Sequence, residues 1–252
     1  MNLHLVSFGS TYNYHGALMR MNNQASNWQH NDVPVFSSIN IFNEHHLQTD
    51  HADFWNSHVA HIAANPRGFG YWIWKSYLVR HVMQNVPQGD IVLWMDLGCQ
   101  INERAHNRFQ DYYNLAQEHG LLCFASGWHE YTWTKGDTAQ LIVENNPAHM
   151  ESDQIISGIM MWRNDQFNRQ LVDDWANISV ANGYQYITDA PSLLPNWPEF
   201  REHRHDQSIL SLLVKKYGRY HALSDETWKP NWHVDGVAYP IWATRNRTKT
   251  FI

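Results

Sequence analysis

Gly89-Asp-Ile-Val-Leu-Trp-Met-Asp-Leu-Gly-Cys99 is the stretch on which the fold turns. Ile91 to Met95 form an unbroken apolar run, which fits a strand buried on both faces, as in a parallel sheet with helices above and below. The run stops abruptly at Asp96-Leu97-Gly98. A carboxylate and a glycine at the carboxyl end of a buried strand lie where open α/β sheets bind their ligands, and Gly98 lets another group approach the backbone closely.

On the amino-terminal side, Leu3 to Phe8 reads as a first strand closing on Gly9-Ser10, followed by a helix from about Gly16 to Trp28 with Leu18, Met21 and Ala25 on one face. Strand, glycine turn and helix open many nucleotide-binding α/β units, although no GxGxxG pattern is present. Val33 to Phe36 is predicted as a second strand, and His45 to Ile62 as loop and helix. In Arg67-Gly-Phe-Gly-Tyr-Trp-Ile-Trp-Lys-Ser76, two glycines open a helix carrying Trp74, Tyr77, Leu78 and Val82, which Pro87 and Gly89 end. Arg67 and Lys75 put positive charge beside helix-start N–H groups, an arrangement that suits a diphosphate. An ordinary loop with a solvated lysine stays open as the alternative.

On the carboxyl-terminal side, Arg104 to His119 reads as a helix, Leu121 to Ala125 as a strand, and the ring-rich Gly127 to Asp137 as a loop over a site. Gln154 to Trp162 is a buried strand interrupted by Ser157-Gly158, a small pair that leaves space for a ligand or a neighbouring backbone. Asn164 or Asp165 caps the next helix, with its stripe of Phe167, Leu171, Trp175 and Ile178. Asn182 to Arg201 holds three prolines and reads as a long functional loop. His203-Arg-His-Asp-Gln-Ser208 then enters a helix stopped by Gly218. Asp206 is either its N-cap or a site carboxylate, and the His-Arg-His approach, which capping does not require, favours the site. Arg219 to Leu223 is a last strand, and the tail adds Arg245 and Arg247.

The 252 residues suit one large α/β domain, and a net charge of −6 with 17 neutral histidines argues against nucleic acid as the main partner. With 13 Trp and 12 Tyr the chain is rich in rings with polar edges, which suit carbohydrate. Cys99 and Cys123 have no metal-ligand spacing and read as buried free thiols. Neither a transmembrane run nor a secretory signal is visible, so the expected location is cytoplasmic, in solution or at the inner face of a membrane.

Four stretches in this order, Arg67 to Lys75, Gly89 to Asn102, Trp133-Thr-Lys-Gly-Asp137 and His203 to Ile209, resemble GT-A fold glycosyltransferases that use nucleotide-sugar donors, of the kind found in bacterial and viral glycan-building loci. Ser157-Gly-Ile-Met-Met-Trp followed by Asp206-Gln-x-x-Leu210 is also similar to the pattern of glycogenin-like transferases. The resemblance implies one α/β GT-A (Rossmann-like) domain over 1–252, with a central, mostly parallel mixed sheet flanked by helices. The donor-binding part would be about 1–125 and the acceptor side about 126–252. It further implies a hexosyl- or pentosyltransferase of polysaccharide biosynthesis that moves a sugar from a nucleoside-diphosphate sugar, UDP rather than GDP, to a glycan or glycolipid hydroxyl.

The resemblance also assigns residues. Asp96 takes the first position of a DxD motif and, with Asp206, the catalytic role, with Asp137 and Glu151 as rival bases. Ser7, Phe8, Gly9, Arg67, Lys75, Asp96, Gly158, His205 and Gln207 would bind the donor, and Trp133, Lys135 and Asp137 the acceptor. Mn²⁺ or Mg²⁺ would be held by Asp96 and His221, although Gly98 replaces the second DxD carboxylate. A non-catalytic carbohydrate-binding protein is the competing class, distinguished by having no need of a diphosphate clamp. A nucleotidyltransferase fits less well, because its glycine-rich, basic amino-terminal loop is absent.

Overall fold

A computed structural model describes residues 2–251. Its seven-stranded sheet is built from β1 (Leu3–Phe8), β2 (Ser38–Phe42), β3 (Ile91–Met95), β4 (Leu121–His129), β5 (Asp153–Ile155), β6 (Ile159–Arg163) and β7 (His221–Ser224). The spatial order is β7-β4-β6-β3-β1-β2, with β5 beside the end of β4. β1 is parallel to β2 and β3, and β7 is parallel to β4, while β6 runs antiparallel to both β3 and β4. Only β5 and β6 therefore run against the rest, and the carboxyl ends of β1, β2, β3, β4 and β7 share one edge of the sheet.

The opening stretch behaves as its apolar run demands. Successive strand side chains point to opposite faces, and both faces are covered. Ile91, Leu93 and Met95 join Leu3, Leu5, Phe109 and Tyr112 in one core. Val92 and Trp94 join Leu78, Val79, Trp175 and Leu210 in the other. The first layer is supplied by helices α1 (Thr11–Asn27) and α4 (His106–His119), and the second by α3 (Ile73–Asn85), α5 (Gln166–Tyr184) and α6 (Asp206–Tyr217). Helix α2 (Ala52–Ala64) precedes the Arg67 to Trp72 turn.

Three sequence expectations need correction. Val33–Pro34 belongs to a two-residue hairpin with Gln29–His30, and the second sheet strand is Ser38–Phe42. That strand lies at the sheet edge, half-buried along its length, so it lacks the apolar run that marks an interior strand. Helix α1 starts at Thr11 rather than near Gly16, because Glu44, distant in sequence, accepts the Thr11 N–H at 2.8 Å. The ring-rich stretch after Ala125 continues β4 to His129 and then forms a short helix, Glu130–Trp133.

Several histidines are enclosed rather than solvated. Burial holds His51, His58, His61, His81, His203 and His205 below the ordinary imidazole value of 6.5. The folded chain protonates these rings less readily than the unfolded chain as pH falls through that value. The stability they allow is present above about pH 6.5 and is lost below it. Melting temperature should therefore fall steadily between pH 7 and 5, and a flat profile over that window would mean that the rings are charged in the folded chain.

Candidate active site

Asp96 directly follows β3, and its N–H donates to the Gly158 carbonyl at 2.8 Å, which ties the end of β3 to the gap between β5 and β6. A side chain at Gly158 would have its Cβ 3.2 Å from Asp96 Oδ2, so glycine leaves the carboxylate its room. Lys75, buried on α3, sends its ammonium into this edge. Its Nζ lies 3.2 Å from Asp96 Oδ1 and 3.0 Å from Asp206 Oδ2. The Ser157 carbonyl and hydroxyl complete its surroundings at 3.4 and 3.3 Å. Ser157 Oγ also donates to Asp206 Oδ2 at 2.8 Å, and Trp94 Nε1 to Asp96 Oδ1 at 2.9 Å.

Burial by itself pulls the Lys75 pKa down, but Asp206 and Asp96 outweigh it and hold the ammonium above its ordinary value. Removal from bulk water raises Asp96 above an ordinary aspartate, with Lys75 opposing. Its side chain is 45% exposed, yet that surface opens into a cavity walled by protein. Asp206 caps nothing. Helix α6 is entered through His205 without a side-chain cap, and the Asp206 carboxylate turns to Lys75 and Ser157 instead.

The cavity over this cluster measures about 540 Å³. Phe8, Gly9, Asp96, Gly158 and Gln207, which the resemblance assigned to the donor, line it together with Ser157, while Lys75 lies behind the wall. Ser7 does not, because it is fully buried and donates to the Met95 carbonyl at 2.7 Å, a bond that joins β1 to β3. Arg67 is turned to Asp189, 3.0 Å away. His205 has a left-handed φ of 54° and its Nδ1 bonds the Ile187 carbonyl at 2.8 Å, so it shapes the turn before Asp206 and does not line the cavity.

The stretch expected on the acceptor side divides. Lys135 is buried and donates to the carbonyls of Gln185, Thr188 and Ala190, and Asp137 is buried and accepts from Gln185 Nε2 and the Leu193 N–H. These two residues hold the 185–196 loop in place, and the lysine's three N–H groups are all engaged. Trp133 is half-buried under the Arg204 guanidinium, 4.0 Å from its ring centroid, with the exposed Trp128 edge-on to it. Glu151 is exposed and does not line the cavity.

His221 needs a correction. It opens β7 in register with Leu122, at the start of β4, and so lies at the edge of the sheet opposite Asp96. Gly98 also has a reason of its own. The carboxyl-terminal tail crosses it, with the Asn246 N–H and Thr244 Oγ1 donating to its carbonyl at 2.9 and 3.0 Å. A Cβ there would come within 3.0 Å of Arg245 Cα. Buried Arg20 clamps the crossing by donating to the carbonyls of Leu97, Cys99 and Asn246. This brings Arg245 and Arg247, both exposed, to the cavity wall, with Arg247 4.9 Å from the Tyr14 ring centroid. Neither makes an ion pair among the described residues. The sequence signal for them was only their charge.

The donor set does not fit the divalent cation that the resemblance implies. Asp96 Oδ1 is taken by Lys75 and Trp94, Gly98 brings no carboxylate and lies under the tail, and His221 is at the far edge. No group of three or more His, Cys, Asp or Glu converges among the described residues.

Comparison with protein-family models and with curated protein sequences gives no match. Among solved structures, the chain is similar to mouse xyloside xylosyltransferase 1 in its apo form, with a TM-score of 0.50 and 11% identity over 98% of each chain. It also aligns with a glycosyltransferase involved in glycosylation of the major capsid of the virus PBCV-1, with a TM-score of 0.49 and 12% identity over 96% of this chain and 92% of that one. A third is the galactosyltransferase LgtC with donor and acceptor sugar analogs, with a TM-score of 0.43 and 14% identity over 99% of this chain and 84% of that one. At such identities it is the fold that is shared, and the first of the three carries the comparison. The chain has the GT-A fold, a single α/β domain with a mixed sheet flanked by helices.

Proposed function

We propose that this protein is a glycosyltransferase that moves a sugar from a nucleoside-diphosphate sugar, UDP rather than GDP, to a hydroxyl of a glycan or glycolipid acceptor. The observation that carries the reading is the buried Lys75 that joins Asp206 to Asp96, the carboxylate lining the cavity, together with two arginines in the cavity wall that make no ion pair among the described residues. A non-catalytic carbohydrate-binding protein has no use for that combination.

In this reading the nucleoside lies against Phe8 and Gly9, the diphosphate against Arg245 and Arg247, and the sugar over Asp96, Gly158 and Gln207, with Asp206 behind Ser157. Departure of the diphosphate builds negative charge that fixed cations stabilise, and guanidinium groups keep their charge at any working pH. The positive charge developing on the sugar is met by the two aspartates. Asp96 Oδ2, in the cavity wall, has no hydrogen-bond donor among the described residues, so it is free to accept a sugar hydroxyl. Trp128, Trp133 and Arg204 form the stacking surface offered to the acceptor. No step is assigned to a metal. No helix among the described residues is long and apolar enough to cross a membrane, and action in the cytoplasm or at its membrane face belongs to the same proposal.

Thermal melts with UDP, GDP and the other nucleoside diphosphates, each in EDTA and in Mn²⁺, test the reading. UDP at a hundredfold excess over its Kd should raise the melting temperature by roughly 5 °C or more, in EDTA as well as in Mn²⁺. Absence of a shift with every nucleoside diphosphate would rule the transferase out.

A further inference from the structure

Behind Asp206 lies a buried polar chain that ends at its neighbour, Gln207. Glu130 is fully buried, and its Oε2 accepts from Lys215 Nζ at 2.8 Å and from Ser211 Oγ. Its Oε1 accepts from Thr134 Oγ1 and, at 2.8 Å, from Gln154 Nε2. A carboxylate only accepts, so Gln154 must turn its NH₂ to Glu130 and its carbonyl the other way. That carbonyl accepts from Gln207 Nε2 at 2.7 Å. Gln207 Oε1 in turn accepts the Ser157 N–H at 3.2 Å. The Ser157 end imposes the same order independently, because a backbone N–H only donates. Both amides thus have one permitted orientation, and Gln207, a cavity-lining residue, keeps one lone pair of its Oε1 without a donor among the described residues.

We infer that Glu130 and Gln154 are positioning residues. They lock the Gln207 amide so that a carbonyl oxygen, and not an NH₂ group, meets the bound sugar and accepts one of its hydroxyl protons. This inference rests on the nucleotide-sugar reading above. The charge of Glu130 is essential to it. Glu130→Gln would place an amide between Gln154 and an ammonium that can only donate, while Ser211 Oγ, which accepts the Ile155 N–H at 2.8 Å, keeps a second lone pair and can face either group. The new amide would turn its oxygen to Lys215 and its NH₂ to Gln154, which sets that end of the chain against the order the Ser157 N–H requires of Gln207.

The test compares binding of UDP with binding of whichever of UDP-glucose, UDP-galactose and UDP-xylose the parent holds most tightly, by calorimetry. Gln154→Met leaves the Glu130 and Lys215 pair intact. It should keep UDP affinity while losing about tenfold in nucleotide-sugar affinity and in kcat/KM for donor hydrolysis, the worth of one hydrogen bond. Glu130→Gln should do the same, and the double variant Glu130→Gln with Lys215→Met should recover, because the amide is then free to offer its oxygen to Gln154. Unchanged nucleotide-sugar binding in Gln154→Met, or equal losses for UDP and the nucleotide sugar, would overturn the inference. A parent that binds no UDP defeats the functional reading itself. The two failures are told apart by the Gln207 side-chain amide protons, which NMR should find slow to exchange in the parent and fast in Gln154→Met.

Discussion

Replacing Lys75 with methionine is expected to lower turnover by at least roughly a thousandfold and to destabilise the fold by about 3 kcal/mol, the usual cost of stripping one partner from a buried ion pair. The lysine touches Asp96 Oδ1 and Asp206 Oδ2 at 3.2 and 3.0 Å, and no other cation among the described residues pairs with either carboxylate. Without it, two carboxylates face each other across the site, as in acid pairs that cannot both ionise. Asp96, already raised by burial and now without Lys75 to oppose it, then takes up a proton more readily in the folded chain than in the unfolded one. That sign makes the variant most stable relative to the parent at low pH, where Asp96 is protonated in either state. The deficit grows as pH rises through its raised folded value. Parallel melts of parent and variant from pH 4 to 8 would show the gap in melting temperature widening with pH. A constant gap would mean that Asp96 does not depend on Lys75 for its charge, and retained turnover would remove the lysine from the mechanism.

The second large effect concerns the tail. Changing Arg245 and Arg247 together to alanine should weaken binding of nucleoside diphosphates by roughly a hundredfold, on the scale of two charge-assisted hydrogen bonds to phosphate. The unliganded melting temperature should stay where it was. Both side chains are exposed, and the tail is held through the backbone of Gly98 and Asn246 and the side chains of Thr244 and Arg20. Arg245 has a φ of 55° that alanine would share, so the strain at that position is the same before and after. Added Mn²⁺ should not restore the lost affinity. Calorimetry with UDP in EDTA and in Mn²⁺ measures all of this, and full affinity in the double variant would move the diphosphate elsewhere in the cavity.

Much of this architecture could be read from local pattern. The run from Ile91 to Met95 announced a strand buried on both faces because five apolar residues in a row have no exposed side to serve. Asp96 and Ser157-Gly158 drew notice because each interrupts or follows such a run at a point where packing does not ask for it, and Asp206 because the His-Arg-His approach to it exceeds what capping requires. Lys75 drew notice for its place after two glycines. The edge strand Ser38–Phe42 was missed for the converse reason, since half-buried residues leave no apolar signature. Lys135 and Asp137 looked like site residues because a sequence shows charge but not direction, and both turn inward to hold a loop.

By itself, then, the sequence determined which segments must be buried and what chemistry stands at their ends, because burial pattern and turn residues are local properties. Only the tertiary structure decided which of those ends meet. The common edge of five strands brings Asp96 beside Asp206, distant in the chain, and α3 passes Lys75 between them. The same strand direction carries His221 to the wrong edge. Gly98, which in the sequence was a missing carboxylate, is in the folded chain the crossing point for a tail that delivers two arginines. No local pattern encodes that crossing, because it is made by Arg20 and by backbone groups whose partners lie more than half the chain away.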